Sequence, residues 1–148
     1  MTDTKPVAAA TPADTSVDIF SDFALNPDDE KDGVWVSYRG NVEFKIAYAK
    51  NRKFKDRASY YYKKNAKILD GGGSVARDKL DEVTIQVMSE AILLDWKGDL
   101  KFKGEVLQYS PANARILLSQ EGFREWVSKQ SDDMSVYKAV KEAEDEGN

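Results

Sequence analysis

The 148-residue chain contains no cysteine and no histidine. Disulfide frameworks, thiolate nucleophiles, Ser-His-Asp triads, histidine general bases and Cys/His zinc sites are thereby excluded. Nowhere do about 18 apolar residues run together, so no membrane span is expected. The start, Met-Thr-Asp-Thr-Lys-Pro-Val-Ala, lacks the apolar stretch of a signal peptide. Those absences point to a cytoplasmic binding protein rather than an enzyme. A chain of this length forms one domain with one modest core.

Carboxylate-only chemistry survives the exclusions, because the chain carries 26 Asp and Glu. A hydrolase or hard-cation site built on them has only that count behind it. The run Asp28-Asp29-Glu30-Lys31-Asp32-Gly33 does not place its acids at the alternating offsets of an EF-hand, and no bidentate Glu follows at its twelfth position. It is read as a solvated acidic turn. No metal and no cofactor is expected.

Residues 1–18, rich in Ala, Thr, Pro and Asp without periodicity, are read as a disordered N-terminal arm. Order should begin near Ile19, Phe20, Phe23 and Leu25, on one side of a short helical turn before Asn26-Pro27. From Val34 the period becomes two. Val34, Val36 and Tyr38, then Val42, Phe44, Ile46 and Tyr48, flank Arg39-Gly40-Asn41 and predict a β-hairpin.

Lys50 to Lys67 reads as largely helical and ends at Asp70-Gly71-Gly72-Gly73, where three glycines mark a loop or hinge. After Ser74, the expected N-cap, the residues Leu80, Val83, Thr84, Val87, Met88, Ala91 and Leu94 recur at three and four, predicting an amphipathic helix that runs to about Trp96. Leu100 to Leu107 should be extended. Ser110-Pro111 starts a helix that turns Leu117 and Leu118 inward. A further helix carries Phe123, Trp126 and Val127, and another Met134, Tyr137 and Val140. Residues 19–138 form the predicted domain and 139–148 an acidic flexible tail. The fold class expected is α+β: mainly α-helical, with an N-terminal β-hairpin packed on the helices.

Charge is split unevenly. Between Arg39 and Lys67 there are ten basic residues against Glu43 and Asp56, a net of +8 in a chain whose formal net charge is −4, leaving −12 for everything else. Three readings of this tyrosine-containing stretch stay open. It is a nucleic-acid surface, in which cations neutralise phosphates and rings stack on bases; a docking face for an acidic protein partner; or a solvated helix whose lysine stems lie along the core. The overall acidity and the lack of a recognisable nucleic-acid module weigh against the first. The candidate partner-binding residues are Lys50, Arg52, Lys53, Lys55, Arg57, Tyr60, Tyr61, Lys63 and Lys64. Trp35, Trp96 and Trp126 are read as core residues, with interface anchors as the alternative.

Several blocks occur in a telling order. Asp32-Gly33-Val34-Trp35-Val36 is followed by Ile46-Ala47-Tyr48-Ala49-Lys50-Asn51-Arg52-Lys53-Phe54, then by Leu94-Asp95-Trp96-Lys97-Gly98, and by Gln108-Tyr109-Ser110-Pro111-Ala112-Asn113-Ala114 before Leu117-Leu118. Across residues 20–133 this succession resembles the tail assembly chaperones of long-tailed bacteriophages (siphoviruses). The resemblance implies a non-catalytic helper in the host cell cytoplasm. Such a helper binds the long, helical tape measure protein, keeps it soluble while the tail tube polymerises, and is absent from the finished virion. It also implies a frameshifted longer form that recruits the tail tube protein, and it leaves self-association open.

Overall fold

The computed structural model describes residues 15–139. The expected arm falls within this range only for residues 15–18, and the tail, with Val140, lies outside it but for residue 139.

Among the described residues two short helices come first, α1 (Ile19–Phe23) and α2 (Pro27–Asp32). Asp18 caps α1 by accepting from the Phe20 and Ser21 amides, and Asn26 caps α2 through the Asp28 and Asp29 amides. The run read as an acidic turn is therefore a helix. Pro27 occupies its first turn, where a missing N–H costs nothing, and the acids beside it favour the positive end of the helix dipole.

The hairpin follows as β1 (Val34–Arg39) and β2 (Val42–Ile46), with Gly40 at φ +57° in the turn. Next come α3 (Arg52–Lys64), α4 (Ala66–Asp70) and α5 (Gly73–Ala91). Ser74 is not the N-cap of α5. Gly72 holds that position and Gly73 is the first helical residue, both at positive φ, and the expected break is the two-residue connection of Gly71 and Gly72 between the helices.

The long helix also ends earlier than its periodicity suggests. Ile92 leaves helical geometry, and β3 (Leu93–Lys97) pairs antiparallel with β2, matching Phe44 to Trp96 and Ile46 to Leu93. A short apolar run satisfies both periods, and the free edge of β2 decides between them. The result is a three-stranded sheet in the order β1-β2-β3. Leu100 to Leu107 holds a small ribbon, β4 (Lys101–Phe102) with β5 (Glu105–Val106). Three helices end the described residues: α6 (Pro111–Leu118), α7 (Glu121–Asp132) and α8 (Met134–Tyr137). Ser110 caps α6 as expected, accepting from the Asn113 amide at 3.0 Å.

One face of β2 carries Val42, Phe44 and Ile46 onto Met88 of α5, Ala114, Leu117 and Leu118 of α6, and Val127 of α7. The architecture is α+β, with the hairpin packed on the helices. Phe44 sits among four rings, those of Tyr38, Trp96, Phe123 and Trp126, at centroid distances of 5.1–6.1 Å. Trp96 is buried and its indole donates to the Leu107 carbonyl, and Trp126 packs on the same cluster. Trp35 is not a core residue. It points to the other face of the sheet, 38% exposed, beneath the Lys97 ammonium at 4.2 Å. Leu80 shares the stripe of Val83 and Val87 but is exposed.

Gly98 fixes how the sheet meets the loop after β3. It stands at φ +97°, and a Cβ there would collide with the Asn41 backbone. The close approach lets Asn41 and Asp99 exchange two hydrogen bonds, at 2.9 and 3.0 Å.

Candidate functional site

Asn51 places the basic helix. Its side chain is buried, accepts from the Phe54 amide at 2.8 Å as the N-cap of α3, and donates to the carbonyls of Tyr48 and Ala91. One asparagine thereby joins the end of the hairpin, the start of α3 and the end of α5. The inward side of α3, with Phe54, Ala58 and Tyr61, then lies along α5.

That packing divides the candidate residues. Arg57 donates from Nε to Glu90 Oε1 at 2.7 Å, Tyr61 donates its hydroxyl to Glu90 Oε2 at 2.6 Å, and Gln86 donates to the same oxygen. Arg57 also reaches the Tyr61 hydroxyl at 3.2 Å. Burial raises the Glu90 carboxyl, but the bonds from Tyr61, Gln86 and Arg57 outweigh it and hold the pKa below its ordinary value. Arg57 and Tyr61 are thus spent on fastening α3 to α5.

The other candidates on α3 face outward. At 100° per residue, Arg52 and Lys63 share the crest of the helix with Asp56, Lys53, Tyr60 and Lys64 share one flank, and Lys55 stands on the other. All seven are exposed. Tyr60 is 49% exposed, with the Arg57 guanidinium 4.9 Å and the Lys64 ammonium 5.8 Å from its ring centre. Lys50 is set apart. It precedes α3 and lines a hollow with Phe54, Thr84, Met88 and Ser131. Where α2 approaches the start of α3, Glu30 and Asp56 line a hollow of about 520 Å³ with Arg52, Lys53 and Arg57, so acids of the chain temper that end of the basic face.

Three features lay beyond the sequence reading. Tyr62 is exposed on the opposite flank of α3, seven residues from Lys55, and a helical projection would have chosen it over Tyr61. Trp35 with Lys45 and Lys97 makes a second aromatic and basic patch on the outer face of the sheet, visible only once Trp35 is registered against Lys45. Lys79 of α5 and Arg115 of α6 join Lys64 around a groove; nothing in their local sequence foretells it.

The acid link to stability is testable through Glu90. Its folded pKa lies below the unfolded value of about 4.3, so its contribution is present above about pH 5 and is lost as pH falls through the folded pKa. Glu90→Gln is expected to lower stability at pH 7 by about 1–3 kcal/mol. Its denaturation midpoint should also depend less on pH between about 5 and 3 than that of the wild type. Urea titrations at several pH values measure both.

Among the described residues no group of acidic side chains is placed to hold a metal ion, and no helix is long and apolar enough to cross a membrane. A family model described as YdaY prophage protein matches residues 42–148, from β2 onward. No curated protein and no solved structure matches.

Proposed function

The chain belongs to the YdaY prophage protein family and is phage-derived, and on that premise we propose that it is a tail assembly chaperone that binds the tape measure protein and keeps it soluble while the tail tube forms. The observation that carries this reading is the outward face of α3, an array of cations on one helix with Tyr60 and Tyr62 exposed on its flanks, in a chain that is acidic overall. The ordered succession of sequence blocks supports it.

A long amphipathic client helix with acidic residues along one side is the chemistry this face would take. The cations set orientation and encounter, and the tyrosines supply apolar contact at low entropic cost. Many copies along one tape measure gain through multivalency even when each contact is weak. Such work needs surface and charge but no reactive side chain. It would take place in the host cytoplasm, with a longer frameshifted form bringing tube subunits.

Coexpression with the tape measure protein of the same phage tests the reading. A soluble, co-purifying complex is expected, and a tape measure equally insoluble with and without this chain would refute it. The rival reading, a nucleic-acid-associated phage protein, draws on the same cations. It predicts retention on DNA that falls steeply with salt, together with no effect on the tape measure.

A further inference from the structure

The helix α1 is an apolar hook left in water. Val17, Ile19, Phe20 and Phe23 are 70%, 62%, 78% and 57% exposed, a density of large apolar side chains that marks an interaction site. The hook is held from behind rather than buried. Leu25 forms a β-bridge with Lys138, the Asn26 amide donates to the Tyr137 carbonyl at 2.8 Å, and the Ala139 amide donates to the Ala24 carbonyl at 3.0 Å. It is also acidic, since residues 18–32 contain six Asp and Glu against Lys31 alone.

A groove of complementary character lies between α3, α5 and α6. Lys64, Lys79 and Arg115 stand around Val83, Ile85 and the ring of Tyr61, in a hollow of about 410 Å³. Lys79 is bonded to Glu82 at 3.0 Å. Among the described residues Lys64 and Arg115 have no ion-pair partner. Ile116, next to Arg115, is 42% exposed.

We propose that α1 of one copy docks in the α3–α5–α6 groove of a second copy, with Phe20 and Phe23 on the apolar floor and Asp22 and the acids of α2 toward Lys64 and Arg115. Charge complementarity selects the occupant: hook against hook sets acid on acid, and groove against groove sets cation on cation, whereas hook against groove pairs opposite signs. The contact is heterologous, so every copy offers one hook and one groove, and assembly continues to a closed ring or an open chain. The proposal does not rest on the chaperone reading, because Arg52, Lys53, Lys55 and Lys63 of α3 lie outside the groove.

Light scattering coupled to size exclusion tests it, from low to high micromolar protein and at low and high salt. The mass should rise with concentration and fall with salt. A hook variant, F20S with F23S, and a groove variant, K64E with R115E, should each be monomeric throughout, with wild-type circular dichroism. Mixed together, the two should stop at a dimer, since one retains only its groove and the other only its hook. A monomeric wild type, association that survives either variant, or a mixture that stays monomeric would overturn the proposal.

Discussion

Phe44→Ala is expected to remove a large share of the stability of the domain. Phe44 is 1% exposed on the central strand, and it is the ring around which Tyr38, Trp96, Phe123 and Trp126 are arranged. Truncation removes the transfer energy of the ring and opens a cavity where β2 meets α7, a loss of about 3–5 kcal/mol. Domains of this size are stable by only about 5–15 kcal/mol. Four aromatic partners cannot collapse into the space without leaving their rotamers, so the cost should fall toward the upper end. Urea denaturation measures it directly, as a lowered midpoint at an unchanged slope. A loss below about 1 kcal/mol would mean that the ring cluster does not hold the sheet to the helices.

The largest functional effect should come from reversing the charge on the crest and both flanks of α3. The triple variant K53E, K55E and K63E changes three exposed side chains, none in an ion pair among the described residues, and each such surface change typically shifts stability by no more than about 0.5 kcal/mol. It turns attraction for an acidic helix into repulsion. If the proposed function holds, the yield of soluble tape measure should drop to that seen without this protein, and affinity should weaken by at least about tenfold, or about 1.4 kcal/mol. The corresponding glutamine variant should lose less, since it removes attraction without adding repulsion. Soluble yield that is unchanged in the glutamate variant would locate the binding face elsewhere on the domain.

The elements that the sequence reading placed well share a physical cause: each is set by neighbours a few residues away. Ser110-Pro111 starts α6 because a hydroxyl cap and a fixed φ act locally, and Arg39-Gly40-Asn41 turns the hairpin for a similar reason. The errors occur where a distant partner decides. Leu93 to Lys97 carries both helical and strand periodicity, and only the unpaired edge of β2, some fifty residues earlier, makes it a strand. Trp35 looks like core by composition, yet pairing with Lys45 puts it on the outer face of the sheet.

The candidate site divides along the same line. That Lys50 to Lys67 is helical and basic was legible, because charge and periodicity are local properties. Which cations remain available was not, because Glu90 lies 33 residues from Arg57 and claims it together with Tyr61. Such a carboxylate has no signature in sequence: it is one acid among 26. The groove of Lys64, Lys79 and Arg115 was likewise invisible, since it needs three helices to be packed before it exists.

The proposed binding face is tested most directly by lysine footprinting of the complex. The protein, alone and bound to the tape measure, is treated with an amine-reactive acylating reagent, and modification at each lysine is read by mass spectrometry. Lys53, Lys55 and Lys63 should be acylated readily in the free protein and become protected in the complex, while Lys101 on β4 and Lys129 on α7 stay reactive. Protection confined to Lys101 or Lys129, with the α3 lysines unchanged, would contradict the assignment of α3 as the binding face.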